Sequence, residues 1–220
     1  MFMVSVERNL GILPEMGEVA VAQEGILVSR RLVLKDSVTP DDIERLVETL
    51  HWQLAGYVKK DADRGVDFAA TWQIDEAVEA HFTEDSYADE RYFVVSGAEL
   101  GRIEEALNNV QTKILIWSLD ELILEVDGNI YPASKGKAVL RLGLGAPLKT
   151  VDSVKDRILG ASKNPETRVR RRAVQAMAYT PWPEYWERLA EMAEGDPDET
   201  VAREAAFVMQ ALSESGGERS

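Results

Sequence analysis

The chain contains no cysteine. Disulfides, thiolate nucleophiles and cysteine-based zinc sites are therefore excluded, and a cytoplasmic, cysteine-free protein is the expectation. Histidine is scarce as well, with two in 220 residues, so an imidazole-based metal or acid–base site has few places to form. No apolar run approaches the ~20 residues that span a bilayer, so no membrane insertion is expected. The opening MFMVSVERNLGILPEMGE has no basic segment leading into a long apolar core, which argues against a secretory signal. Basic charge is in deficit: 25 Lys and Arg stand against 39 Asp and Glu, a net charge of −14. Residues 149–220 hold 13 acids and 11 bases, which leaves −12 to residues 1–148. Such a surface repels phosphate backbones within a Debye length of about 8–10 Å, which argues against nucleic-acid binding. The excess serves solubility, or else a face that docks a basic partner or mimics nucleic acid.

What is present points first to mixed secondary structure. Residues 17–35 hold two β-branched runs around Gln23-Glu24-Gly25, the pattern of strand, turn and strand. Thr39-Pro40-Asp41-Asp42 opens a helix, with Thr39 as cap and acids at the positive end of the dipole. Ile43, Leu46, Val47, Leu50 and Leu54 give that helix one apolar face ending near Gly56. Polar residues 59–67 read as a loop, FAATWQI as a strand, DEAVEAHF as one or two helical turns, and 83–90 as a break. Arg91–Val95 reads as a strand leading into a helix striped by Leu100, Ile103, Ala106, Leu107 and Val110. Asp127-Gly128 between apolar runs predicts a hairpin, and Lys137–Leu144 a further strand. The fold class expected is α+β: residues 1–148 a mixed domain with a mainly antiparallel sheet, then 149–212 all-helical, then a disordered tail at 213–220.

Two stretches of the helical part repeat. Residues 164–178 (NPETRVRRRAVQAMA) and 196–210 (DPDETVAREAAFVMQ) align at an offset of 32, matching Pro165 with Pro197, Val169 with Val201, Arg171 with Arg203, Ala173 with Ala205 and Met177 with Met209. VKDRIL and YWERLA precede the two copies as further helical segments. Helix pairs at this period bury their apolar faces by stacking. An Asp/Asn-Pro turn followed by Val-Arg and small residues resembles the HEAT-like repeats of bilin-lyase type, here Asn164-Pro165, Val169-Arg170 and Ala173, then Asp196-Pro197, Val201 and Ala205. The second copy departs from the pattern, with Ala202 where the first has Arg170. The resemblance implies a protein-binding scaffold in the C-terminal third and is silent on residues 1–148.

Candidate binding residues follow from this. Trp182, Tyr185 and Trp186 form a dense aromatic group, which fills a core or anchors a partner. Arg168, Arg170, Arg171 and Arg172 form the one basic cluster, suited to phosphate or to pairing with Glu166, Asp196 and Asp198 in adjacent turns.

Catalytic and metal motifs fail on spacing. Asp61, Asp63 and Asp67 suggest a calcium loop, but the glycine is at position five and Trp72 stands at twelve. Gly143-Leu-Gly145 lacks the third glycine of a dinucleotide turn, and Lys135-Gly136-Lys137 lacks the P-loop glycine before it. Val95-Ser96-Gly97 lacks the nucleophile-elbow context and reads as a helix cap. His81 lies among Asp75, Glu76, Glu79, Glu84 and Asp85, leaving a hydrolase or lyase using His81 with Glu84 or Asp85 as the enzymatic reading. No metal, cofactor or catalytic residue is assigned. The leading expectation is a non-catalytic interaction or adaptor protein with a protein partner or self-association. The alternative is an acidic, immunity-like inhibitor.

Overall fold

The computed structural model describes residues 18–21, 25–61 and 65–216. The chain divides into two compact units between Trp117 and Ser118.

The first unit is an antiparallel sheet with two helices on one face. Its strands are β1 (Val19–Val21), β2 (Leu27–Ser29), β3 (Leu32–Val33), β4 (Gln53–Asp61), β5 (Val66–Asp75), β6 (Val78–Asp85) and β7 (Glu90–Gly97). They lie in the order β1-β2-β7-β6-β5-β4, with β3 also on β7. Helix α1 (Pro40–Thr49) starts where the sequence predicts: Thr39 and Asp42 close a reciprocal capping box, with Pro40 in the first turn. Helix α2 (Leu100–Lys113) buries Ile103, Ala106, Leu107 and Val110. These residues join Ile43 and Leu46 of α1 over Trp72, Phe82 and Phe93 of the sheet. The Phe82 and Phe93 rings sit 5.2 Å apart and tilted by 50°, within the favoured range for aromatic pairs.

Three local expectations change here. Helix α1 ends at Thr49; His51 takes a φ of 56° and turns the chain into β4, so Leu54 stands on a strand and not on the helix face. Lys59–Asp61 and Val66–Asp67 belong to the β4–β5 hairpin, while Ala62–Arg64 of the expected loop and Gln23-Glu24 of the first turn lie outside the described residues. DEAVEAHF is a turn and a strand: Asp75 accepts from the Ala77 amide, and Val78, Ala80 and Phe82 alternate inward.

The second unit is helical from its first residues. Helices α3 (Leu119–Gly128), α4 (Pro132–Leu144), α5 (Asp152–Ala161), α6 (Thr167–Tyr179), α7 (Trp186–Gly195) and α8 (Glu199–Gly216) follow one another, with a short 3-10 turn at Pro183–Tyr185. They form three successive pairs, in which α6 packs against both α4 and α8 and α3 packs against α5. The predicted hairpin at Asp127-Gly128 is the end of α3, and the predicted strand 137–144 is the body of α4. The helical region thus begins at Ser118, not at Ala146-Pro147. Ser118 and Glu121 form a capping box that starts α3. Every residue of α4 from Ala138 to Leu144 is buried, so its apolar run shows no helical period. Helix α8 continues through 213–216, which corrects the expected tail at those positions; 217–220 lie outside the described residues.

Candidate functional site

Three places in the molecule gather the residues that sequence singled out, or should have. The first is the sheet face of the first unit opposite α1 and α2. Thr71 of β5 and His81 of β6 stand opposite each other in register, and Ser96 of β7 lies opposite Glu79. The His81 ring bridges the strands: Nδ1 meets Thr71 Oγ1 at 3.1 Å, and Nε2 meets Ser96 Oγ at 2.7 Å. Glu79 Oε2 lies 3.7 Å from Nε2. Burial lowers the His81 pKa, and the Glu79 carboxylate opposes that shift less strongly. A neutral ring is therefore favoured, donating from one nitrogen and accepting at the other. The carboxylates expected beside it are elsewhere: Asp85 accepts the Tyr87 and Ala88 amides in the next turn, and Glu84 stands at the Phe68 and Arg91 register. Ser96 is a strand residue bound to His81, not the cap of α2, whose first residue is preceded by Glu99 without a side-chain cap. Period-two spacing from His81 could have flagged Glu79; the Thr71 and Ser96 partners depend on register, which no local pattern encodes.

The second place is the basic and aromatic group of the helical unit. Arg170 is bound bidentately by Asp196, Nε to Oδ2 at 2.8 Å and Nη2 to Oδ1 at 2.9 Å, with side chains only 8% and 2% exposed. Its Nη1 also donates to the carbonyls of Asn164 and Pro165. Asp196, held below the usual carboxylate range chiefly by that guanidinium, accepts the Asp198 amide as well. Arg171 pairs with Glu204 of α8 at 2.6 Å, and Arg172 donates to Gln175. Arg168 is exposed. Three of the four arginines are thus engaged with groups of their own unit, and Arg170 joins α6 to the turn before α8. A cavity of about 320 Å³ lies among Lys163, Arg170, Arg188, Glu191 and Asp196. Its guanidinium donors are largely spoken for, Arg188 binding the Ser162 hydroxyl and carbonyl at 2.8 and 2.7 Å. Trp182 and Tyr185 are buried and stacked with ring centroids 5.6 Å apart, so neither can be a surface anchor. Burial also pushes the Tyr185 hydroxyl up from its ordinary pKa. Trp186 alone of the three is partly exposed.

No family model, no curated protein and no solved structure matches this chain.

The third place was not singled out from sequence. Strand β4 ends the sheet, with β5 on one side and, among the described residues, no strand on the other. Leu54 and Tyr57 are each 58% exposed and Val58 is 45% exposed. Leu54 and Tyr57 stand opposite buried Trp72 and Ala70, whereas Val58 stands opposite Ala69. Apolar side chains therefore project from both faces of a free edge. Lys59, Lys60 and Asp61 end the strand, Lys60 reaching Asp67 at 3.1 Å, and a bulge lies between Leu54 and Gly56. Tyr57 and Val58 favour a strand, but Ala55 and Gly56 do not, and the helical spacing through Leu54 hid the strand further.

Among the described residues no helix is long and apolar enough to cross a membrane, and no group of three or more His, Asp or Glu is placed to hold a metal ion.

Proposed function

We propose that this chain is a non-catalytic protein-interaction protein whose binding element is strand β4. The observation that supports the reading is the nine-residue edge with Leu54, Tyr57 and Val58 exposed. An edge strand offers a row of backbone donors and acceptors to an incoming strand, and protruding side chains add specificity. In this reading the helical pairs are a HEAT-like scaffold, and their contribution to binding comes from Arg168, Arg171 and Trp186, the candidates that remain at or near the surface. The cysteine-free sequence supports a cytoplasmic setting, and the net charge of −14 argues against direct nucleic-acid binding.

The test is affinity purification with crosslinking, comparing the wild type with Tyr57→Lys at low and high salt. Crosslinks from a stoichiometric partner or from the protein itself to residues 53–61, lost in the variant, are the expected result. Crosslinks confined to acidic positions away from β4 and abolished by salt would replace this reading with the acidic-inhibitor one.

A further inference from the structure

Resting on that reading, the geometry points to the occupant of the edge: we infer that β4 pairs antiparallel with β4 of a second copy, joining two sheets into one. Charge sets the direction. The N-terminal half of the strand, Gln53–Gly56, is uncharged, and Glu48 of α1 and Glu76 of the β5–β6 turn belong to the segments beside that end. The C-terminal end carries Lys59, Lys60 and the last residue, Asp61, a net positive charge, with Lys60 also paired to Asp67 of its own β5. Antiparallel pairing about a two-fold axis near Tyr57 lays each lysine pair over the neutral half of the other strand and toward its flanking glutamates. Parallel pairing would set lysine on lysine, and like charges directly opposite destabilise a strand pair.

Shape agrees with charge. About a two-fold axis near Tyr57 the two Tyr57 rings meet at the centre, Val58 stands opposite Gly56, and the lysine stems lie over Leu54 and Ala55, so Tyr57 supplies the central apolar contact. The Tyr57 ring is already stacked on Phe68 at 6.5 Å, which orients it for a partner's ring. A second β4 is also held extended by its own β5, so it loses less conformational freedom than a flexible peptide would on docking. Closure follows from symmetry, since the two-fold contact uses the β4 edge of each copy once.

Sedimentation equilibrium of the full chain near 100 µM tests this. The expected mass is twice the 24.5 kDa of the chain. Tyr57→Lys and, separately, Lys59→Glu with Lys60→Glu are expected to return the monomer mass with an unchanged circular-dichroism melt. Adding Glu48→Lys and Glu76→Lys to the lysine reversals is expected to restore the dimer. Amide exchange should slow in 53–61 as concentration rises. A wild type that stays monomeric, or a dimer that survives both sets of variants, overturns the inference. If that monomer still crosslinks a different protein through 53–61, self-pairing fails while the interaction reading stands; if nothing binds there, both fail.

Discussion

At the scale of single residues, two titratable groups report their surroundings. Burial lowers the His81 pKa and Glu79 raises it, the first effect being the larger. A base whose folded pKa is lowered adds stability that is full above its unfolded value of about 6.5 and is lost as pH falls through the folded value. The His81 Cε1 proton is therefore expected to titrate below 6.5 by NMR, and Glu79→Gln to move that midpoint lower still. A midpoint above 6.5 would mean that the carboxylate dominates. Asp196 is the acidic counterpart, lowered first by the Arg170 hydrogen bonds. Its contribution is present above the unfolded value of about 3.9 and disappears as pH drops through the lower folded value. Asp196→Asn leaves the Arg170 guanidinium buried without its counter-charge, and the expected loss is about 3–5 kcal/mol by urea unfolding at pH 7. The variant should also lose less on acidification than the wild type. Sequence showed that acids lay near these arginines; it could not show that Arg170 faces inward, because burial depends on how α6 meets the following turn.

At the scale of elements, α1 and α2 were readable, whereas α3, which exposes Leu124 on its outer side, and the buried α4 were not. Thr39-Pro40 and the Ile43–Leu46 spacing located α1, and Ile103 to Val110 located α2, since each keeps a polar face. Helix α4 keeps almost none, and a continuous apolar run reads equally as a strand. What holds it is close approach to α6. A methyl group on Gly143 would lie 2.5 Å from Ala176 Cβ and 2.6 Å from its Cα, and Thr180 Oγ1 donates to the Gly143 carbonyl. Intrinsic helix preference alone would make Gly143→Ala stabilising by about 0.5–1 kcal/mol. Packing predicts the opposite sign, a loss of about 1–3 kcal/mol, with Gly143→Val losing more. Thermal unfolding followed at 222 nm decides between them, and a stabilised Gly143→Ala would refute the close helix contact.

At the scale of the molecule, Asp/Asn-Pro turns and Val-x-x-x-Ala spacing recur in two stretches of the helical unit. The first pair, α3 and α4, carries neither mark. Side-chain contacts nonetheless tie that pair to the rest of the helical unit. Leu140, Leu142 and Leu144 of α4 are buried, Arg141 of α4 pairs with Glu125 of α3 at 3.1 Å, and Asp127 of α3 holds Arg157 of α5. A fragment cut at Lys149, where sequence placed the boundary, would strip α4 from α6 and uncover Ala176, which packs against Gly143. A fragment beginning at Ser118 keeps all three pairs and the capping box that starts α3. The 118–220 fragment is therefore expected to give a helical spectrum and a single cooperative melt, while 149–220 gives a broad, weakly cooperative one. Equal cooperativity in the two fragments would mean that α3 and α4 only lean on a stack that the repeated sequence already completes.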